Sequence, residues 1–383
     1  MSVTAAAGFR AAGIAAGIKP GGLDLALVVN DGPLSSAAAV FTANRVKAAP
    51  VLWSAQAVAD GIARAVLLNS GGANACTGPA GFADTHASAE RVAELLGAGA
   101  ADVLICSTGL IGERLPMDRL LPGIEQAVTA LSTAGGADAA EAIRTTDTVA
   151  KTAVVEHPAG WRVGGMAKGA GMLAPSLATM LCVLTTDAVA EADVLDAALR
   201  AGVATTFDRL DADGCMSTND TVVLMASGAS GVTAAPAELA QAVNQVCAQL
   251  AAQLLADAEG ATKEVEIVVS GAASEDDAVQ VGRAVARNNL LKCALFGNDP
   301  NWGRVLAAIG TTTAVFEPDE LDVWINGVQV CRSGAAGDSR DAVDLSGRRV
   351  RIQAQLNAGS ASATIYTNDL SHAYVEENSA YSS

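Results

Sequence analysis

A glycine-rich loop that runs straight into an apolar strand holds the residues best suited to covalent chemistry. It reads Lys168-Gly169-Ala170-Gly171-Met172-Leu173-Ala174-Pro175-Ser176-Leu177-Ala178-Thr179-Met180-Leu181. A threonine that opens a strand after a small residue suits an N-terminal nucleophile. The loop can hold the Ala178–Thr179 peptide in a strained conformation. The Thr179 hydroxyl then attacks the carbonyl before it, and hydrolysis of the ester frees an amine at Thr179. One residue would thereby carry both the nucleophile and its base, since an unperturbed α-amine has a pKa of about 7.7–8.0. No histidine is needed, which fits a chain with only His86, His157 and His372. The plainer reading is a threonine at the start of a core strand, and the pairs Thr145-Thr146, Thr185-Thr186 and Thr205-Thr206 compete with it.

Three further segments have chemical potential. Cys106-Ser107-Thr108-Gly109-Leu110-Ile111-Gly112 follows an expected strand and turns at Gly109. A backbone N–H at such a turn and a threonine hydroxyl can together stabilise an oxyanion; an ordinary strand-to-helix turn has the same pattern. The run from Asn69 to Gly78 has the glycines of a phosphate loop but the spacing of no phosphate fingerprint, so a tight structural crossover is its default. Gly297-Asn298-Asp299-Pro300-Asn301-Trp302-Gly303-Arg304 either walls a site or lets Trp302 plug a junction with Arg304 paired to an acid.

The elements that must position these loops are short buried strands alternating irregularly with helices. Strands are expected over 25–30, 63–69, 102–107, 180–185, 221–226, 265–270, 321–325, 350–356 and 363–366. Helices are expected over 85–96 behind Asp84 as cap, over 117–131, over 236–256 with a proline in the first turn, and over 275–291 behind Ser274. This is a mixed α/β chain, a layered α/β sandwich of α+β type, not a strict doubly wound sheet. A boundary near 260–263 divides it into a nucleophile-bearing α/β domain, 1–262, and a smaller C-terminal α/β domain, 263–383.

Composition narrows the function. The 383 residues carry a net charge of −17, which argues against a nucleic-acid or anionic-membrane partner. Aromatic residues are 3% of the chain, too few for stacking platforms. The mean hydropathy is +0.32, yet no run of about 18 uncharged apolar residues appears, and the Ala-rich N-terminus lacks the form of a signal peptide. Seven scattered cysteines without a C-x-x-C read as reduced thiols of a cytoplasmic protein, and give no zinc or other metal site.

Taken together, the motifs resemble the ornithine acetyltransferase family of arginine biosynthesis, also called glutamate N-acetyltransferases. The resemblance rests on K-G-x-G-M-L-x-P-x-x-A-T-M-L over 168–181, S-T-G-x-I-G over 107–112, T-T-D over 145–147, D-x-E-G over 257–260, G-x-D-P-N-W-G-R over 297–304 and E-E-N-S-A-Y over 376–381, in that spread along the chain. It implies an N-terminal-nucleophile-like enzyme that cleaves itself between Ala178 and Thr179 into chains 1–178 and 179–383. It implies ping-pong transfer of acetyl from N2-acetyl-L-ornithine to L-glutamate through an acetyl-Thr179 ester, with acetyl-CoA as a second donor in some members and no other cofactor. Thr108 and Gly109 match the family's oxyanion-hole positions. Thr145 (or its neighbour Thr146), Lys168, Thr179, Glu259, Asn378 and Ser383 match its substrate-contacting positions. The family also implies heterotetramers or larger assemblies of the cleaved chains. A self-processing amidase or aminopeptidase, with water as acceptor, is the alternative that the nucleophile logic alone leaves open.

Overall fold

Two sheets stacked face to face carry most of these segments. The computed structural model describes residues 2–174 and 180–380. Its strands are β1 (Phe9–Ile14), β2 (Leu25–Asn30), β3 (Ser36–Phe41), β4 (Ala65–Gly72), β5 (Val103–Leu110), β6 (Lys151–Glu156), β7 (Arg162–Lys168), β8 (Leu181–Thr186), β9 (Thr221–Ala226), β10 (Glu264–Ala272), β11 (Asp322–Ile325), β12 (Val328–Arg332), β13 (Ala335–Ala336), β14 (Arg349–Gln355) and β15 (Ala361–Asn368). Its helices are α1 (Ala49–Ala57), α2 (Gly78–Leu96), α3 (Met117–Ala130), α4 (Gly136–Ala142), α5 (Ala192–Thr205), α6 (Pro236–Ala256), α7 (Glu275–Ala286), α8 (Asn289–Phe296), α9 (Trp302–Ile309) and α10 (His372–Ala380).

The first sheet has the order β1-β2-β4-β5, the second β3-β9-β8-β7-β6. Val28, Val66 and Leu104 of the first interleave with Met166, Val183 and Val223 of the second. On its far side the first sheet packs Leu27, Leu67 and Ile105 against Val92 of α2 and Ile124 of α3. The second sheet packs Val163, Leu184 and Leu224 against Leu199 of α5 and Val246 and Leu250 of α6. The result is four layers, helix–sheet–sheet–helix. Both faces of each inner strand are covered, so β2, β8 and β9 are buried at every position and read as continuous apolar runs.

The third sheet, β13-β12-β11-β14-β10-β15, follows a different rule. Alternate residues of β10 are buried, and Val265, Ile267 and Val269 pack with Val281 and Val285 of α7. One covered face and one open face give that period of two. Asp211 N–H donates to Tyr366 O at 2.8 Å, and the Asp211 carboxylate takes Arg287 at 2.8 Å, tying this sheet to the sandwich.

The mixed α/β class and the layered sandwich agree with the sequence. Two helices differ from expectation. The helix expected over 85–96 begins at Gly78, so Asp84 lies inside α2; its carboxylate takes both nitrogens of the Arg114 fork at 2.6 and 2.8 Å instead of capping. The helix expected over 275–291 is broken into α7 and α8. Ser274 does cap α7, accepting from Asp277 N–H at 3.1 Å. Asn288, however, starts a new helix by accepting from Leu291 N–H at 2.9 Å. A local capping bond thus ends an apolar periodicity that would otherwise continue.

Helix α1 buttresses the strand that carries Thr108 and Gly109. The buried Ser54 hydroxyl donates to Ile105 O at 2.7 Å and accepts from Ile105 N–H at 2.8 Å. Substituting Ser54→Ala would strip both partners from a buried peptide unit. The expected cost is about 1–3 kcal/mol, read as a lower denaturant midpoint at unchanged m-value.

Candidate active site

Strand β7 ends on Lys168, opposite Leu181 at the start of β8. The Lys168 side chain points inward and is 2% exposed. Its Nζ reaches Thr108 Oγ1 at 3.4 Å and lies 4.0 Å from Asp147 Oδ2. Thr108 and Gly109 stand on β5 beside Ser70 and Gly71 of the parallel β4. Gly109 has φ +129°, and a Cβ there would come within 2.5 Å of the Gly71 carbonyl carbon. Only glycine allows the two backbones to approach this closely with that dihedral.

Asp147 organises the cations. Its Oδ1 accepts from Lys151 Nζ and from Gly169 N–H, each at 2.6 Å, and its Oδ2 accepts from Thr145 N–H at 3.1 Å. Lys151 is fully buried and also donates to Asp257 Oδ2 at 2.6 Å. Burial resists ionisation of Asp147, but Lys168, Lys151 and the Gly169 N–H outweigh it and bring its pKa down to about 2. Burial pulls the Lys168 ammonium the other way, downward, with the Asp147 charge opposing. Lys19 donates to Arg144 O at 2.7 Å and so ties down the loop that carries Thr145 and Asp147.

A second group lies beyond the glycines. Glu259 Oε1 accepts from the Thr146 hydroxyl at 2.7 Å, and Oε2 accepts from Asn378 Nδ2 at 2.9 Å. Its own N–H donates to Ala170 O at 3.0 Å, so the carboxylate sits over the 168–171 segment. Helix α10 delivers Asn378. The Ser371 hydroxyl donates to Gly260 O at 2.6 Å, and Gly260 has φ +61° with no room for a Cβ against Tyr374 N.

Of the residues singled out in the sequence, Thr108, Gly109 and Lys168 stand together, and Glu259 and Asn378 are hydrogen-bonded. Thr145 reaches the cluster through its backbone, while the hydroxyl that meets Glu259 belongs to Thr146. Thr179, Ala178 and Ser383 lie outside the described residues. Met180, next to Thr179, is buried and donates its N–H to Asp220 Oδ1 at 3.0 Å. Sequence reasoning assigned no part to Asp147 or Lys151; their spacing of four and the T-T-D motif were the available signal. The 297–304 segment starts α9: Trp302 packs against the core of the third sheet, and Arg304 bonds the Leu290 carbonyl, not an acid. Asn74 of the 69–78 run donates to Gly81 O and Thr85 Oγ1, a structural crossover.

The arrangement puts a buried ammonium beside a threonine hydroxyl and a strand-end glycine, with a carboxylate a few residues away. Such a site can neutralise a carboxylate or an oxyanion at one end and an ammonium at the other. Among the described residues no three His, Cys, Asp or Glu side chains are grouped to hold a metal ion, and no helix is long and apolar enough to cross a membrane.

The ArgJ family model matches residues 10–383. The arginine biosynthesis bifunctional protein ArgJ of Streptomyces avermitilis is 66% identical over the full length of both chains. The arginine biosynthesis bifunctional protein ArgJ of Bacillus halodurans, solved as a crystal structure, is 34% identical with a TM-score of 0.50, covering 52% of this chain and 98% of that one. An ornithine acetyltransferase of Mycobacterium tuberculosis, solved with ornithine, is 63% identical over 46% of this chain and 95% of that chain, with a TM-score of 0.45.

Two outcomes test the site's electrostatics and sterics. Asp147→Asn removes the charge between two buried ammoniums and is expected to cost about 3–5 kcal/mol in chemical unfolding. Because Asp147 is held below its ordinary range, its contribution is present above that range and is lost as pH falls toward about 2; the variant's stability would lack this acid-side decline. Gly171→Ala places a Cβ 2.4 Å from Glu259 Oε2. The carboxylate would swing away, so the expected result is weakened substrate binding, a raised KM, with melting temperature nearly unchanged.

Proposed function

Because the chain belongs to the ArgJ family, we propose that this cluster is the acetyl-transfer site of an enzyme processed at Ala178–Thr179. The chain is an acetyltransferase of arginine biosynthesis, moving acetyl from N2-acetyl-L-ornithine to L-glutamate. The observation that carries the site assignment is the Lys168–Thr108–Asp147 cluster, joined through the 168–171 segment to Glu259, Thr146 and Asn378.

In this reading the free amine of Thr179 takes the proton from its own hydroxyl as Oγ attacks the acetyl carbonyl. The developing oxyanion is met by the Thr108 hydroxyl and the Gly109 N–H. The tetrahedral adduct collapses, the departing ornithine nitrogen takes the proton, and an acetyl ester remains on Thr179. The glutamate amine attacks that ester by the same steps in reverse order and leaves as N-acetylglutamate. Lys168 polarises Thr108 or pairs with the common α-carboxylate, and Glu259 favours the distal ammonium of ornithine or relays a proton. Thr145, Thr146, Asn378 and Ser383 complete the amino-acid pocket. One pocket serves both substrates because they share the α-amino-acid end.

A break at 178/179 leaves 178 and 205 of the 383 residues. A solved relative whose whole chain spans only half of this one supports such processing. Acetyl-CoA as a second donor is supported by the relatives' description as bifunctional. No further cofactor enters, and assembly of the cleaved chains into a cytoplasmic heterotetramer belongs to the same proposal.

Mass spectrometry of the purified protein is expected to show two chains of these lengths, and Thr179→Ala a single inactive one. An intact wild-type chain, or cleavage in the variant, overturns the nucleophile assignment. Incubation with acetylornithine and glutamate should yield acetylglutamate; release of free acetate alone would mark a hydrolase.

A further inference from the structure

Two buried residues outside the substrate pocket join the two ends of the site. Asn219 is 5% exposed and Asp220 fully buried, in the turn immediately before β9. The Asn219 amide donates to Ser107 O at 2.9 Å and to Ala73 O at 2.6 Å. Both acceptors are carbonyls, so the orientation of the amide is dictated. Ser107 directly precedes Thr108, and Ala73 directly follows β4. Asp220 Oδ1 accepts from Met180 N–H at 3.0 Å, and Thr221 N–H donates to Met180 O at 3.2 Å. Met180 directly follows Thr179. One dipeptide therefore grips the oxyanion strand one residue before Thr108 and the other strand one residue after Thr179.

We propose that Asn219 and Asp220 form a positioning clamp that sets the spacing between the oxyanion-hole strand and the nucleophile end of β8. The inference rests on the acetyl-transfer reading above. The physical ground is that β5 and β8 belong to different sheets whose facing sides meet largely through apolar packing, with the Lys168–Thr108 and Asn30–Ala226 bonds as further polar links between the sheets. Apolar contact is non-directional, so it does not by itself fix a register to the accuracy that acyl transfer needs. Hydrogen bonds from the two side chains to three main-chain groups do. The chemistry of Asp220 suits the task. Burial pushes its carboxyl well above the ordinary value, against the Met180 N–H, Thr42, Ser217 and the Lys168 charge. A neutral acid can accept from an amide without leaving a bare charge in the core. The Oδ1 bond to Met180 N–H is the contact by which this carboxyl reaches the strand that follows Thr179.

The test uses the full chain with Asn219→Ala, Asp220→Ala and Asp220→Asn, scored against wild type for cleavage by mass, for kcat and KM, and for melting temperature. Asn219→Ala and Asp220→Ala should slow self-cleavage and lower kcat by about 10²-fold, the scale of a misplacement near 1 Å, while KM for acetylornithine and glutamate stays within about twofold. Asp220→Asn retains an acceptor for Met180 N–H and should recover most of kcat. Unchanged kcat in the two alanine variants, a loss expressed in KM alone, or an Asp220→Asn variant as impaired as Asp220→Ala would each overturn the clamp. Should the alanine variants fail to melt cooperatively, Asn219→Ser, which keeps one donor, is held to the same kcat criterion. A wild-type chain that transfers acetyl without cleavage counts against Thr179, not against the clamp, because the clamp is judged on the ratio of variant to wild type.

Discussion

The site depends on one carboxylate. Asp147 stands between two ammoniums, Lys151 and Lys168, that the fold takes almost wholly out of water. Removing either cation from solvent is costly by itself. Asp147 and Asp257 together return the cluster to electrical balance, and the Gly169 and Thr145 N–H groups saturate the remaining lone pairs of Asp147. That balance lets Lys168 sit at the end of β7 with a charge free to act on Thr108. In a protein with a net charge of −17, an anionic substrate such as glutamate is repelled at long range. Any attraction has to be local and directional, as from the single Lys168 ammonium, because the cluster as a whole is balanced.

The sandwich explains why the cluster forms at the ends of strands. Each inner sheet contains one parallel pair, β4–β5 in the first and β8–β9 in the second. Parallel neighbours finish at the same edge, so the glycines at the end of β4 and β5 lie beside each other. Lys168 closes the antiparallel β7 at the point where β8 starts. The third sheet contributes chiefly by returning the chain, through α10, to Glu259. Its buried face forms a core of its own with α7, while Tyr366 on the other face packs against the sandwich.

Much of this was legible in the sequence because each signal had a local physical cause. Pro236 opens α6 where a missing N–H costs nothing, and Ser274 caps α7. The loops at 107–112 and 168–171 were visible through glycines that the backbone approach at Gly109 and the carboxylate over Gly171 require. What stayed hidden was non-local. Strands β1, β3 and β7 are rich in alanine and glycine, which carry weak strand preference, and it is pairing, of β1 with β2, of β7 with β6 and β8, and of β3 with the distant β9, that makes them strands. Asp84 and Asn288 swapped the expected roles of cap and interior because Arg114 and Leu291 N–H were better partners. Asp147 and Lys151 looked like any acid and base four residues apart. Their importance comes from Asp257, more than a hundred residues away.

The strand order of the second sheet has a consequence for the proposed break. Reading across β3-β9-β8-β7-β6, the outer strands precede residue 178 and the two adjoining strands β9 and β8 follow it. The products would therefore be interleaved like fingers of two hands. Neither piece could leave without tearing a ladder on each side, so nicking would be silent to the shape of the molecule. The converse holds for biosynthesis. Made separately, each fragment would display long unpaired edges that invite association with the wrong partner. An uncut precursor would thus be the template on which a two-chain protein is woven, and covalent continuity would matter to it during folding and not afterwards.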